Sequence, residues 1–261
     1  MHDLIDRLES RYRWSSLDCE GVTWRWLDTA GHGPAVILLP GSVGDAAMFV
    51  RTILSAGERM RLIAITYPEL PDPRRLSAGL KAVCEHLGLP PAVVVGSSFA
   101  AWWIQFFALH YPEQVRKLVI GNGFTDGSDL AANPLFDAAW VGSVSPQALH
   151  ATWLERVQKT PVSPLQQLQK LMLEQRQSPE NLYARFLGVV KAQACPELPV
   201  ASKDIVVLDC LDDPLIPPAA QERLRMRYPN SRHVRLPSGG HYPHVLNPDR
   251  YEGVLLDVAF E

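Results

Sequence analysis

The sequence has no apolar run near the length that spans a bilayer and no tract rich in lysine or arginine. A transmembrane helix needs about 20 consecutive apolar residues, and a nucleic-acid footprint needs a basic patch or stripe. The 25 Lys and Arg residues are outnumbered by 28 Asp and Glu residues, which makes the formal net charge −3. We therefore expect no membrane span and no nucleic-acid partner.

Cysteines are few, and internal repeats and low-complexity segments are absent. Cys19, Cys84, Cys195 and Cys210 form no C-x-x-C pair and lack metal-ligand spacing. We interpret them as small buried hydrophobes or incidental thiols, and we predict no metal and no cofactor. Residues 1–9 mix acidic and apolar side chains and lack the basic start of a secretory signal, so we expect a cytoplasmic protein.

Strand-like and helix-like segments alternate along most of the 261 residues. Such alternation predicts an α/β fold with a mostly parallel sheet and helices on both faces. The predicted strands are 22–27, 35–39, 62–66, 93–95, 117–120, 204–209 and 233–236. The first alternates in the β manner and is expected to be a half-exposed edge strand. Predicted helices cover 2–13, a segment beginning near 45, 75–87, 100–110, 147–160, 164–177, 180–195, 218–228 and 246–260.

Strand signals stop between residues 125 and 200, where prolines divide amphipathic helices. An insertion of helices into an alternating chain is typical of a lid over an active site, and a plain helical connection is the alternative. We predict a core domain made of residues 1–124 and 201–261, and a lid at residues 125–200. Sites in open parallel sheets form outside the carboxyl ends of the strands.

Residues 93–103 read as a buried strand that turns sharply into an apolar helix. A serine on such a turn is the nucleophile elbow, G-x-S-x-G, written here as Gly-Ser-Ser-Phe-Ala at residues 96–100. The strained turn requires small residues two positions before and after the nucleophile. Glycine and alanine fit Ser98, whereas a valine and a phenylalanine would flank Ser97 and clash. The alternative is a plain turn with Ser98 as a helix N-cap.

Two loops after the last predicted strands carry acidic residues and histidines. Residues 212–217 read Asp-Asp-Pro-Leu-Ile-Pro, and residues 239–244 read Gly-Gly-His-Tyr-Pro-His. A serine nucleophile needs a base and a group that orients this base. The order serine, acid, histidine is that of the α/β-hydrolases, and both loops resemble the acid and base loops of that superfamily.

The resemblance implies Ser98 as nucleophile, Asp213 as the acid and His241 as the base. The alternatives are Asp212 or, more distantly, Asp126 for the acid, and His244 for the base. The oxyanion needs backbone N–H donors. We expect one from Phe99, at a helix N-terminus, and one from Ser42, with Val43 as the alternative.

Apolar side chains around the predicted site suggest an acyl pocket, although an aromatic is more often a core residue than a ligand contact. These residues are Val43, Met48, Phe49, Tyr67, Phe124 and Tyr242. No Arg or Lys is recognisable as a carboxylate or phosphate clamp. We therefore expect a neutral, mainly apolar small-molecule substrate.

Four stretches are similar to the maspardin branch of the superfamily. The loop at residues 39–42 reads Leu-Pro-Gly-Ser where most relatives have His-Gly, and Tyr67-Pro68 leads into a helix. Residues 118–126 and 228–231 also match, and the resemblance covers most of residues 35–250.

The resemblance implies an α/β-hydrolase fold and a serine hydrolase that cleaves an ester or thioester through an acyl-enzyme. One alternative is a non-catalytic binding protein on a hydrolase scaffold. A second is a C–C bond hydrolase or lyase that uses the same triad. The sequence does not indicate an oligomeric state.

Overall fold

The computed structural model describes every residue from Met1 to Glu261, and its strands form one eight-stranded sheet. The strands are β1 (Trp14–Cys19), β2 (Val22–Asp28), β3 (Ala35–Leu39), β4 (Arg61–Thr66), β5 (Ala92–Ser97), β6 (Val115–Gly121), β7 (Ile205–Cys210) and β8 (Arg232–Leu236). They lie in the order β1-β2-β4-β3-β5-β6-β7-β8. Six of them, from β3 to β8 in chain order, are parallel to one another. Their carboxyl ends therefore meet along one edge of the sheet.

Helices cover both faces of this sheet. They are α1 (His2–Arg11), α2 (Val50–Ala56), α3 (Pro73–His86), α4 (Phe99–His110), α5 (Ala138–Ser143), α6 (Pro146–Lys159), α7 (Pro164–Leu171), α8 (Pro179–Val190), α9 (Pro218–Arg227), α10 (Pro243–Leu246) and α11 (Pro248–Phe260). One core contains apolar side chains of α3, α4, α8 and α9, and the other contains those of α1, α2, α7 and α11. Val94 of β5 faces the first core, while Val93 and Val95 face the second, because successive side chains of a strand point to opposite faces. None of these helices combines the length and the apolar character needed to cross a membrane.

The amino-terminal edge of the sheet differs from the prediction. Trp14–Cys19 is a strand that the sequence did not predict, and it pairs antiparallel with β2. The prediction of β2 as an edge strand is therefore wrong, since β2 lies between β1 and β4. The β1 side chains are exposed or only partly buried, so its apolar signal is weak. The hydrogen-bonded ladder with β2, a non-local interaction, determines its conformation.

The segment between β6 and β7 is helical, with α5 as an additional short helix. The predicted helix at residues 164–177 is interrupted: α7 ends at Leu171, and a wider π turn spans Met172–Arg176. The Gln177 N–H donates to the Met172 carbonyl, 2.9 Å away. Such insertions into an α-helix often accompany functional sites. Here the turn brings Arg176 to Asp45, with 2.8 Å between Nε and Oδ2.

Candidate active site

The elbow turn consists of Ser98 alone, because β5 ends at Ser97 and α4 begins at Phe99. Ser98 has φ 55° and ψ −116°, a conformation that residues with a side chain rarely adopt. A Cβ on Gly96 would lie 2.6 Å from the Ala100 carbonyl carbon, so the turn requires glycine there. Ser98 makes no side-chain cap and is partly exposed, whereas Ser97 is buried. The geometry is that of a nucleophile elbow rather than of a capped turn.

His241 lies beside Asp213 at the carboxyl ends of the neighbouring strands. His241 Nδ1 is 2.9 Å from Asp213 Oδ2 and 3.1 Å from Oδ1. Asp212 instead accepts hydrogen bonds from the N–H groups of Gly239 and Gly240. The structure therefore brings Asp213 and His241 together, and Asp212 stabilises the loop that carries the histidine. No hydrogen bond joins His241 to Ser98 in this structure; bonds of this kind often tighten only in the complex with substrate.

Asp213 is a buried carboxylate with several partners. Burial by itself would raise the pKa of Asp213, but the neighbouring His241 and the hydrogen bonds to this carboxylate together outweigh burial and lower the pKa below the usual range. The Asn122 side chain adds a hydrogen bond to Oδ2 at 2.7 Å. The N–H groups of Leu215 and Ile216 donate to Oδ1. These contacts stabilise the charged form that can hold an imidazole in place.

Asn122 is a site residue that the sequence reasoning missed. Its φ is 46°, a region in which asparagine is tolerated better than most residues. Its N–H donates to the Leu208 carbonyl, and its Nδ2 also donates to the Gly240 carbonyl at 3.1 Å. Asn122 thus links the ends of β6 and β7 to the loop of His241. The only sequence signal was the Gly-Asn-Gly at the end of a predicted strand.

The other two alternatives, His244 and Asp126, lie in different surroundings. His244 is 2 % exposed, and neither ring nitrogen has a hydrogen-bond partner. Burial, assisted by nearby His241, lowers the pKa of His244 to about 3, so its ring is neutral at pH 7. Asp126 accepts from the Ser128 N–H and pairs with Arg223. No group of three or more His, Cys, Asp or Glu side chains is arranged to hold a metal ion.

The loop after β3 lies against Ser98. A Cβ on Gly41 would be 3.0 Å from Ser98 Cβ, so a larger residue here would force the loop or Ser98 to shift. The N–H groups of Ser42 and Val43 donate no hydrogen bond to another main-chain group. Phe99 is the first residue of α4, where the N–H has no partner within the helix. Unused N–H groups therefore lie on both segments that contact Ser98.

The predicted pocket residues are distributed over both cores. Val43, Tyr67 and Phe124 belong to the core of α3 and α4, whereas Met48 and Phe49 belong to the core of α1 and α2. These five side chains are at most 2 % exposed. Tyr242 is only partly buried, and its ring centroid lies 5.2 Å from that of His241. The acyl pocket stays a prediction.

A parallel sheet of this order, with a strained serine between β5 and α4 and a buried Asp–His pair after the last strands, defines the class of the α/β-hydrolases. The profile of the alpha/beta hydrolase family matches residues 36–254, and the chain belongs to this family.

Comparison with known proteins confirms both the fold and the resemblance to maspardin. Maspardin from Homo sapiens is 27% identical over 221 residues, which cover 80% of this chain and 70% of maspardin. A thermophilic esterase from Thermogutta terrifontis has a TM-score of 0.75 at 20% identity, covering 95% of this chain and 99% of the esterase. The enol-lactonase from Burkholderia xenovorans LB400 has a TM-score of 0.76 at 15% identity, covering 95% of this chain and 100% of the lactonase.

Proposed function

We propose that the protein is a serine hydrolase that cleaves a carboxylic ester or thioester of a small, mainly apolar molecule. The observation that carries this proposal is the strained Ser98 turn on the same sheet edge as the Asp213–His241 pair. Ser98 is only partly exposed and His241 is 5 % exposed, which favours a substrate with a small acyl group. The partly buried Tyr242 ring lies beside His241 and favours apolar groups.

In this mechanism, Ser98 Oγ attacks the carbonyl carbon while His241 Nε2 takes the hydroxyl proton. The imidazolium then protonates the departing alcohol or thiol, which leaves an acyl-enzyme on Ser98. Water attacks the acyl-enzyme, His241 again takes a proton, and the acid is released as Ser98 regains its hydroxyl. Asp213 keeps the proton on Nδ1 and stabilises the imidazolium.

The oxyanion forms twice, once in each half-reaction. The N–H groups of Phe99 and Ser42 would donate to it, with Val43 as the alternative to Ser42. Removing such a donor typically costs about 3–4 kcal/mol of transition-state stabilisation. The partial positive charge at the N-terminus of α4 acts in the same direction at Phe99.

A fluorophosphonate probe followed by intact-mass analysis tests the nucleophile. We expect one label per wild-type chain, none on Ser98→Ala, and full labelling of the matched control Ser97→Ala. Folded wild-type protein that took up no label would contradict the proposal. It would support the alternative of a non-catalytic binding protein on a hydrolase scaffold.

Hydrolysis of p-nitrophenyl acetate tests the base. We expect His241→Ala to lower kcat by at least about 1000-fold, because Ser98 then has no proton acceptor. His244→Phe should stay within a few-fold of wild type, since both His244 nitrogens are unpartnered and its ring packs 4.7 Å from that of Phe49. The reverse pattern would show that the base is His244.

A further inference from the structure

The loop between β3 and the next helical turn has an unusual source of hydrogen bonds. We call residues 40–44 the oxyanion loop. All five residues are buried. They lie outside the helices and strands, and their N–H and C=O groups make no hydrogen bond to another main-chain group. Buried peptide groups without partners are costly. Something other than the main chain must therefore satisfy this loop.

Side chains supply these bonds. The Tyr67 hydroxyl donates to the carbonyls of Pro40 at 2.7 Å and Gly41 at 3.1 Å. Arg185 Nη1, on the lid helix α8, donates to the carbonyls of Gly41 at 2.8 Å and Gly44 at 2.6 Å.

Gln177, which follows the π turn, bonds the loop in both directions. Its Nε2 donates to the Ser42 carbonyl, and its Oε1 accepts from the Gly44 N–H, each at 2.8 Å. The carbonyls of residues 40, 41, 42 and 44 are thus all bonded to Tyr67, Arg185 or Gln177.

Because peptide groups are planar, the bonds to the loop carbonyls also fix the direction of the N–H groups that follow them. In a trans peptide the C=O of one residue and the N–H of the next point in opposite directions within one plane, and the chain has no cis peptide bond. Bonding the Gly41 carbonyl to Arg185 therefore turns the Ser42 N–H away from the lid. Bonding the Ser42 carbonyl to Gln177 does the same for the Val43 N–H.

Arg185 makes its short hydrogen bonds only to this loop. Its side chain is 0 % exposed, its Nε has no hydrogen-bond partner, and its guanidinium lies 4.0 Å from the centroid of the Tyr67 ring. A buried charge is costly unless it is hydrogen-bonded, and its strong bonds here go to loop carbonyls. Asn181 extends the network by accepting from Gln177 Nε2 and donating to the Tyr67 carbonyl.

We propose that Arg185, Gln177 and Tyr67 are positioning residues that hold the oxyanion loop with its free N–H groups toward Ser98. The lid would then act in the reaction by orienting a transition-state donor. This inference rests on the proposed hydrolase function for its catalytic consequence, and on the hydrogen bonds alone for the positioning itself.

Kinetics with p-nitrophenyl acetate test the catalytic consequence. We expect Arg185→Met and Gln177→Met to lower kcat by about 10- to 100-fold with little change in KM, because a misaligned donor weakens the transition state more than substrate binding. Gln166→Met is the matched control: Gln166 is a buried lid glutamine whose amide donates only to the Val157 carbonyl. It should keep wild-type kcat.

The relative size of the two losses identifies the donor. A larger loss for Arg185→Met indicates the Ser42 N–H, and a larger loss for Gln177→Met indicates the Val43 N–H; both support the proposal. A kcat that is unchanged in both variants, in protein that hydrolyses the ester normally, would overturn it.

Amide hydrogen exchange tests the positioning without relying on activity. We expect exchange in residues 41–44 to be at least about tenfold faster in Gln177→Met and Tyr67→Phe than in wild type or Gln166→Met. These two variants also serve if Arg185→Met does not fold. Unchanged exchange in both would overturn the positioning role. A wild type that exchanges slowly at the loop but neither hydrolyses esters nor takes up the fluorophosphonate would refute the proposed function and leave the positioning role supported.

Discussion

At the scale of single residues, Asn122 adds to the effect of His241 in lowering the pKa of Asp213. Its amide group donates to both Asp213 Oδ2 and the Gly240 carbonyl. It therefore joins the acid loop to the histidine loop. Glycine is the substitution that removes this side chain without penalising φ 46°.

We predict that Asn122→Gly lowers the free energy of unfolding by about 1–3 kcal/mol at pH 7, because a buried carboxylate loses a donor. The folded-state pKa of Asp213 is lowered, so its contribution is present above the unfolded pKa of about 4 and is lost as pH falls through the folded pKa. In Asn122→Gly the pKa of Asp213 is lowered less, because the hydrogen bond from Asn122 is lost. The stability difference should therefore narrow below about pH 4.

Urea denaturation of both proteins at pH 7 and near pH 3 measures this difference. An equal difference at the two pH values would show that Asn122 stabilises the loops without acting on the charge of Asp213.

At the scale of elements, the β5–α4 turn depends on close contact between a strand and the helix that follows it. A side chain at Gly96 would meet the backbone of Ala100 and the Ala101 nitrogen, at 2.6 to 2.7 Å. These atoms belong to the first turns of α4 and have little freedom to move aside. The same closeness explains why the positions two before and two after Ser98 are glycine and alanine.

We predict that Gly96→Ala destabilises the protein by about 1–3 kcal/mol through overpacking. Gly253→Ala is the control, because nothing lies within 4 Å of a Cβ there in α11; it should be neutral or stabilising by up to about 1 kcal/mol. Thermal unfolding followed by circular dichroism compares them. A Gly96→Ala protein as stable as wild type would mean that the elbow tolerates a wider turn.

At the scale of the whole molecule, three of the four thiols are buried. Cys84 and Cys195 are 2 % exposed and Cys210 is 0 % exposed. Burial raises the pKa of each of these three thiols to about 12. Cys19 in β1 is only partly buried, and all four cysteines are free.

We predict that a disulfide reagent at pH 8 modifies one thiol per native chain quickly and four after denaturation, because the reactive species is the thiolate. Cys19→Ser should remove the fast phase. Rapid reaction of a second thiol in the native protein would show that the region around a buried cysteine opens readily.

Much of this architecture could be predicted from local sequence patterns. Every predicted strand and helix has a counterpart in the structure, and comparison with known proteins confirms the α/β-hydrolase fold. Apolar periodicity, prolines and turn residues act over a few positions, so one sequence suffices to recognise them. For the same reason, the small residues at positions 96 and 100 were enough to predict a sharp turn at Ser98.

The tertiary structure decided what depends on contacts between distant residues. It paired His241 with Asp213 rather than Asp212, left His244 in an apolar environment, and moved β2 away from the edge of the sheet. Arg185 contacts Gly41 across 144 positions of the chain. Nothing in the local sequence pattern of α8 indicates such a partner, because the long-range packing of the whole fold determines it.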